Sequence, residues 1–282
     1  MRITETIHAL KHPFRLALGE GQYADRSVYS YLLIGDRICL IDTGVFSTSL
    51  PLQGYLKEIG RSPYEISLVL LTHAHPDHIG GCLAINKVSS ALFCAHSADK
   101  GWIEDVERQY RERPILNFFE LVEGSVVVNL ELKDGDTISW NKGKTIRVLE
   151  TPGHSPGSIS FYAEEEGVLF TGDAVPAAGT LPIYVNPQAS LESIRKLQKI
   201  SPVKHLLSSW HEPISENQIQ PIMEAGIHYI QKIDEIVVDL SKTMPAETSG
   251  EELSFRALER LGIKTNKVLP MVRTTFESHR KK

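Results

Sequence analysis

Thr72-His73-Ala74-His75-Pro76-Asp77-His78 is the stretch on which the reading of this chain turns. It follows a short apolar run, residues 66–71, that reads as a buried strand, and it precedes Ile79-Gly80-Gly81. Alternating His73 and His75 at a strand end send both imidazoles to one side, and the turn after Pro76 brings Asp77 and His78 round to a neighbouring position. Two groups of donors a few ångströms apart are what a pair of metal ions requires, and the glycines let the backbone pass close behind them. Histidine and aspartate each fill 11 of the 282 positions. Four matches at this spacing therefore arise by chance on the order of once in a thousand such chains.

Four more signals follow the same logic along the chain. They are Leu40-Ile41-Asp42-Thr43-Gly44, Thr151-Pro152-Gly153-His154-Ser155-Pro156-Gly157, Phe170-Thr171-Gly172-Asp173 and Trp210-His211. With these five motifs in order over about residues 15–215, the chain resembles the hydrolase branch of the metallo-β-lactamase superfamily, close to its dinuclear lactonase and glyoxalase II-like members. The resemblance implies an α/β fold, an αββα sandwich of two mixed β-sheets flanked by helices, with the metals at one edge. It implies that His73, His75 and His154 hold a first ion, that Asp77, His78 and His211 hold a second, and that Asp173 bridges both. Asp42 is then no ligand but a carboxylate that supports a ligand histidine by a hydrogen bond.

Outward from the motifs, residues 28–34 and 38–41 are strand-like runs joined by Gly35-Asp36-Arg37, the pattern of a hairpin. Leu52, Tyr55, Leu56 and Ile59 repeat at helical spacing before Gly60. Further strands are expected at residues 91–95, 126–130, 137–140, 144–149, 158–162, 168–171 and 203–207, and a helix capped by Ser190. Residues 103–125, rich in Arg and Glu and broken by Pro114 and Gly124, read as a long irregular segment suited to a lid. Beyond residue 215 the pattern becomes helical. Ile219, Met223, Ile230, Ile233, Val237 and Leu240 trace one face of a long helix, and Ser249-x-x-Glu252 caps another that stops at Gly262. The chain thus divides into a metal-hydrolase domain, residues 1–215, and a C-terminal helical extension, residues 216–282.

Composition bounds the function. A net charge of -5 gives no electrostatic reason to expect nucleic acid, and no run of about 18 apolar residues suggests a membrane span. The basic cluster from Ser278 to Lys282 reads as a solvated terminus. No apolar N-terminal leader is seen, and Cys39, Cys82 and Cys94 follow no paired spacing, so a reducing cytoplasmic setting is expected, with a homodimer possible from the apolar helix face. His8, His12, His205, His228 and His279 match no motif and read as surface or structural. His96 reads as a helix cap rather than a ligand.

Histidine and carboxylate donors suit two divalent ions, zinc first, with iron or manganese also fitting. A hydroxide between them forms near neutral pH and attacks a carbonyl, with Asp77 orienting the nucleophile. The resemblance spans several substrate classes. Its β-lactamases commonly carry Cys where Asp173 stands, and its glyoxalase II members continue after Gly-Asp differently from Ala174-Val175-Pro176 here. A small ester, lactone or thioester is expected, with Tyr184 as a candidate to bind the carbonyl oxygen, as a tyrosine does in the superfamily's lactonases. The alternatives are a phosphodiesterase or nuclease of the same fold, or an iron-dependent redox member.

Overall fold

The computed structural model describes residues 1–19, 21–265 and 267–280. In chain order the strands are β1 (Ile7–Gly19), β2 (Gln22–Ile34), β3 (Ile38–Ile41), β4 (Ile66–Leu70), β5 (Leu92–His96), β6 (Leu130–Leu132), β7 (Thr137–Asn141), β8 (Lys144–Glu150), β9 (Ile159–Ala163), β10 (Val168–Gly172), β11 (His205–Ser208) and β12 (Ile214–Ser215). The helices are α1 (Ser49–Glu58), α2 (Pro76–Ile79), α3 (Cys82–Val88), α4 (Ser97–Glu104), α5 (Val106–Glu112), α6 (Phe118–Leu121), α7 (Pro187–Leu197), α8 (Glu216–Thr243), α9 (Gly250–Arg260) and α10 (Pro270–Arg280).

The strands form two six-stranded sheets, ordered β1-β2-β3-β4-β5-β6 and β12-β11-β10-β9-β8-β7. Both are mixed. In the first, β3, β4, β5 and β6 run parallel after an antiparallel β1-β2-β3 meander. In the second, only β10 and β11 are parallel.

The period of two along each strand builds the layers. In β3, Cys39 and Ile41 face one way and join Leu33, Leu70, Val148, Phe161 and Phe170 in a core between the sheets. Leu40 faces the other way and packs with Leu32, Val69 and Phe93 beneath α1, α3 and the helices up to residue 121. On the far side, Leu169, Tyr162 and Leu206 meet Ile194 of α7, Ile230 and Ile233 of α8, Leu253 of α9 and Phe276 of α10 in a third cluster. The result is the αββα sandwich, with the helices beyond residue 216 forming most of one outer layer.

Several local expectations are corrected. Residues 103–125 are largely helical, because Asp105 caps α5 through a bond from Arg108 N at 2.8 Å and Ile103, Val106, Phe118 and Leu121 are buried. Ser190 lies inside α7; Asn186 is the cap, accepting from Ala189 N at 3.0 Å. Of residues 126–130 only Leu130 is in a strand. β1 and α10 are among the elements that the sequence pattern did not announce. The stretch read as a solvated terminus buries His279, which lies in α10, to 1% exposure; Lys281 and Lys282 lie outside the described residues.

Candidate metal centre

The motif residues sit where chains leave the C-terminal ends of β3, β4, β8, β10 and β11. Parallel pairing of β3 with β4 and of β10 with β11 brings those ends together at one edge of the sandwich. Gly172, at φ 50°, ends β10 so close to Thr72 that a Cβ would meet its Oγ1 at 2.7 Å. Gly80 lies where a Cβ would meet the Leu121 carbonyl oxygen at 2.0 Å. Both positions exclude side chains, which is what lets the two loops close over the site.

Four buried residues converge. One donor atom each from His73, His75, His154 and Asp173 lies within 4.8 Å of the others. His75 Nδ1 is 3.0 Å from His73 Nε2 and 2.8 Å from His154 Nε2, and Asp173 Oδ2 is 3.2 Å from His154 Nε2. The other carboxylate oxygen, Oδ1, faces His78 Nε2 at 3.3 Å, which lies 3.9 Å from Asp77 Oδ2. Asp173 thus stands between two groups of donors.

The surrounding hydrogen bonds decide which nitrogen each ring presents. His154 Nδ1 donates to the Ile183 carbonyl at 2.6 Å, and His78 Nδ1 donates to Asp42 Oδ2 at 2.8 Å. Thr72 Oγ1 gives its own proton to Asp42 Oδ2 at 2.7 Å, so it accepts from His73 Nδ1 at 3.0 Å. All three rings therefore turn Nε2 inward, while His75 presents Nδ1. Asp42 also accepts from Thr72 N at 2.8 Å. It adopts φ 54°, an uncommon value for a residue with a side chain, sustained by these bonds.

The electrostatics separate His78 from the other rings. Burial holds His73 and His75 well below the usual imidazole range, so both are neutral donors. Burial opposes charge on His78 as well, but Asp173, Asp42 and Asp77 outweigh it and hold that ring well above the range. Burial pushes Asp77 up. For Asp173 burial acts upward too, and His78 and His154 override it to draw the carboxyl down.

Among the described residues, His211 Nε2 is buried without a hydrogen-bond partner, and His78 Nε2 and Asp173 Oδ1 are buried with none beyond their own 3.3 Å approach. Such atoms are costly unless something satisfies them. Imidazole nitrogens and carboxylate oxygens are the donor set of divalent transition ions, so the residues present fit the expected metals. His211 is not in the convergent group of four. Its backbone N is bonded to Ser208 Oγ at 3.1 Å, just past the point where Ser209 N reaches Gly172 O at 3.1 Å, beside Asp173.

Tyr184 takes a structural place. It is 2% exposed, its hydroxyl is 2.9 Å from His279 Nε2, and its backbone N and O are bonded to Thr275 Oγ1 in α10. The side chain is committed to the helical layer, so the expected contact with a carbonyl oxygen is withdrawn. His96 caps α4, with Nδ1 accepting from Ala98 N at 3.2 Å.

Three residues escaped the sequence reading. Asp99, 4% exposed, accepts from Ala74 N at 2.8 Å, Gly157 N at 3.0 Å and Ser155 Oγ at 3.1 Å. One carboxylate therefore ties the His73-Ala74-His75 loop to the loop after His154. Gln109, fully buried on α5, donates to the Ala74 carbonyl from the other side. Trp102 stands beside His75, ring centroids 6.5 Å apart. The only local signal was an acidic residue in the first turn of a helix, which is ordinary.

Residues 23–207 match the sequence profile of the Metallo-beta-lactamase superfamily. A probable metallo-hydrolase of Bacillus subtilis is 31% identical over 65% of this chain and 84% of its own length. A hydroxyacylglutathione hydrolase of Chelativorans is 27% identical over 72% of each chain. Among solved structures, a metallo-beta-lactamase family protein of Thermus thermophilus aligns with TM-score 0.75 and 23% identity over 99% of this chain and 93% of that one. With its motifs gathered at the sandwich edge and that match over its core, the chain belongs to the metallo-β-lactamase superfamily.

Proposed function

We propose that the chain is a dinuclear metal-dependent hydrolase of a small carboxylic ester, lactone or thioester. The observation that carries this reading is the position of Asp173, whose two oxygens face different histidines at 3.2 and 3.3 Å. In the proposal His73, His75 and His154 hold one ion, Asp77, His78 and His211 the other, and Asp173 both. Two divalent ions, zinc by donor preference with iron or manganese also suited, supply a hydroxide at neutral pH and polarise a carbonyl.

The chain's own residues do the rest. Asp42, Ile183 O and Thr72 hold the Nδ1 protons of His78, His154 and His73 and so turn each Nε2 toward the ions, while the carboxylates around His78 favour a second proton there that an entering ion would displace. Asp77, half-buried and beside His78, is placed to orient a nucleophile from the open side. Burial raises its carboxyl, which suits a group that takes up and returns a proton.

The relatives named hydroxyacylglutathione hydrolases place an acyl thioester first in the substrate panel. The test is elemental analysis of protein purified without chelator, joined to turnover of matched ester, lactone, thioester, β-lactam and phosphodiester substrates. About two ions per chain and fastest turnover of an ester, lactone or thioester are expected. A panel led by a phosphodiester or a β-lactam, or full activity with one ion, sinks the proposal.

A further inference from the structure

The carbonyl that turns His154 belongs to residues 183–186, a strap outside any strand or helix that leads into α7. The strap closes on the His154 loop from two sides. Ile183 O accepts from His154 Nδ1 at 2.6 Å, while Val185 N and Asn186 N donate to Gly153 O at 2.8 and 3.1 Å. Gly153, at φ 134°, lies so near α7 that a Cβ would meet Ser190 Oγ at 2.2 Å. The loop therefore has no slack on that side.

What holds the strap comes from the last helix of the chain. Buried backbone groups outside a ladder need other partners, and Tyr184 finds both of its own on one side chain. Its N–H donates to Thr275 Oγ1 at 3.0 Å, and the same hydroxyl donates to its carbonyl at 2.8 Å. A threonine hydroxyl is at once donor and acceptor. Thr275, fully buried in α10, thus stands in for the strand partner that Tyr184 lacks. A helical threonine ordinarily turns to the carbonyl four residues back; here Met271 O is the more distant choice, at 3.3 Å. The Tyr184 side chain is held in the same layer. Its hydroxyl is 2.9 Å from His279 Nε2, and His279 Nδ1 is 2.9 Å from Asp234 Oδ1 in α8.

Tyr184 N and Ile183 O belong to one peptide unit. Such a unit is planar and, when trans, points its N–H and C=O in opposite directions; among the described residues the one cis bond is Ser201-Pro202. The plane therefore has Thr275 Oγ1 at one end and His154 Nδ1 at the other, and it cannot swing away from the first without leaving the second. We infer that Thr275 is a positioning residue for the proposed metal centre. It fixes the Ile183–Tyr184 peptide plane, and that plane fixes the ring of His154. The inference rests on the reading of His154 as a ligand, and it makes α10 part of what shapes the centre.

The experiment titrates zinc into the full chain against a chromogenic chelator. Thr275→Val keeps the shape and removes the hydroxyl. Its affinity for at least one ion is expected to fall about 10-fold, the low end for a group that supports a metal-binding histidine. Thr275→Ser restores the hydroxyl and is expected to return affinity to within about 2-fold of the wild type. Leu258→Ala truncates a buried residue of α9 in the same apolar cluster and controls for stability. It is expected to lower Tm at least as far as Thr275→Val while leaving zinc affinity within about 2-fold. Coupling is reciprocal, so in the wild type zinc is expected to slow hydrogen exchange of the Tyr184 N–H about 10-fold more than that of N–H groups in α9. That measurement decides the matter if Thr275→Val does not fold. Wild-type zinc affinity in Thr275→Val overturns the inference, as does a serine variant as weak as the valine one, an equal loss in Leu258→Ala, or no selective slowing at Tyr184. His154→Ala tests the underlying reading alone. If it keeps every ion, the ligand reading and the inference both fail; if it loses an ion while Thr275→Val loses no affinity, only the inference fails.

Discussion

Asp99→Asn isolates the carboxylate that joins two metal-ligand loops without touching the ligands themselves. In the native site Oδ2 accepts from Ala74 N and Ser155 Oγ, and Oδ1 accepts from Gly157 N. An asparagine keeps one oxygen, so one of the two backbone N–H groups must face an NH₂. The serine is spared, because its hydroxyl is already 2.9 Å from Ser158 Oγ and can turn to it. One orphaned buried donor costs about 1–3 kcal/mol, and a surviving bond that is no longer charge-assisted loses about 1 more. Burial pushes the Asp99 carboxyl up, so removing its charge relieves part of that cost. The net expectation is a loss of about 1–3 kcal/mol, or some 2–4 °C in Tm per kcal/mol for a chain this large. Metal affinity should fall about 10- to 100-fold, since the loops carrying His73, His75 and His154 lose their common anchor. Calorimetric Tm and competition with a chromogenic chelator measure the two effects. If stability stays within about 0.5 kcal/mol and metal affinity is unchanged, Asp99 does not position the site and the reasoning fails.

Asp173→Asn should lower metal content below that of the wild type and cut turnover by orders of magnitude with circular dichroism unchanged, because an amide nitrogen is no ligand for a cation. His96→Ala, which loses only a helix cap, should keep its metal; elemental analysis of the pair would falsify the ligand set if both behaved alike. His12 is buried against Ser30, and burial draws its pKa from 6.5 to about 4. Its folded value is depressed, so the stability it contributes is full above pH 6.5 and is lost as pH falls to about 4, by up to ~3 kcal/mol. His12→Gln should flatten that part of a denaturation-against-pH curve, and an unchanged acid limb would count against it. Phe276, fully buried in α10, should cost about 3–5 kcal/mol when cut to alanine; a variant as stable as the wild type would mean that α10 adds little to the outer layer. Chelation should lower Tm by the linkage of bound ions to the native state and leave the far-ultraviolet spectrum intact, since the three apolar clusters do not include the ligands.

The fold and the convergent histidines were legible because their signals are local. Imidazoles at fixed spacing after a strand, a hairpin around Gly35-Asp36-Arg37 and the apolar face of α8 each need only neighbours in sequence. What stayed hidden depends on distant partners. β1 carries His8, Lys11, His12 and Arg15, which spoil its alternation, yet His8 and His12 are buried against Tyr55 and Ser30 from other elements. α10 carries Thr275 and His279 on its inner face, where they meet Tyr184. Residues 126–130 looked like a strand because valines favour strands, but only Leu130 found a ladder partner, Cys94. Asp99 owes its role to loops 25 and 58 residues away, a separation that no windowed pattern can span.

The proposed donors are divided between the two sheets. His73, His75, Asp77 and His78 hang from the sheet that contains β4, and His154, Asp173 and His211 from the one that contains β8, β10 and β11. Neither half owns a complete set, so an ion bound there acts as a rivet through the seam of the sandwich. Prising the sheets apart at that edge must release it, and losing it frees the seam to gape. Metal retention and closure of the edge are then coupled, so a chelator that strips the protein should loosen the seam as well.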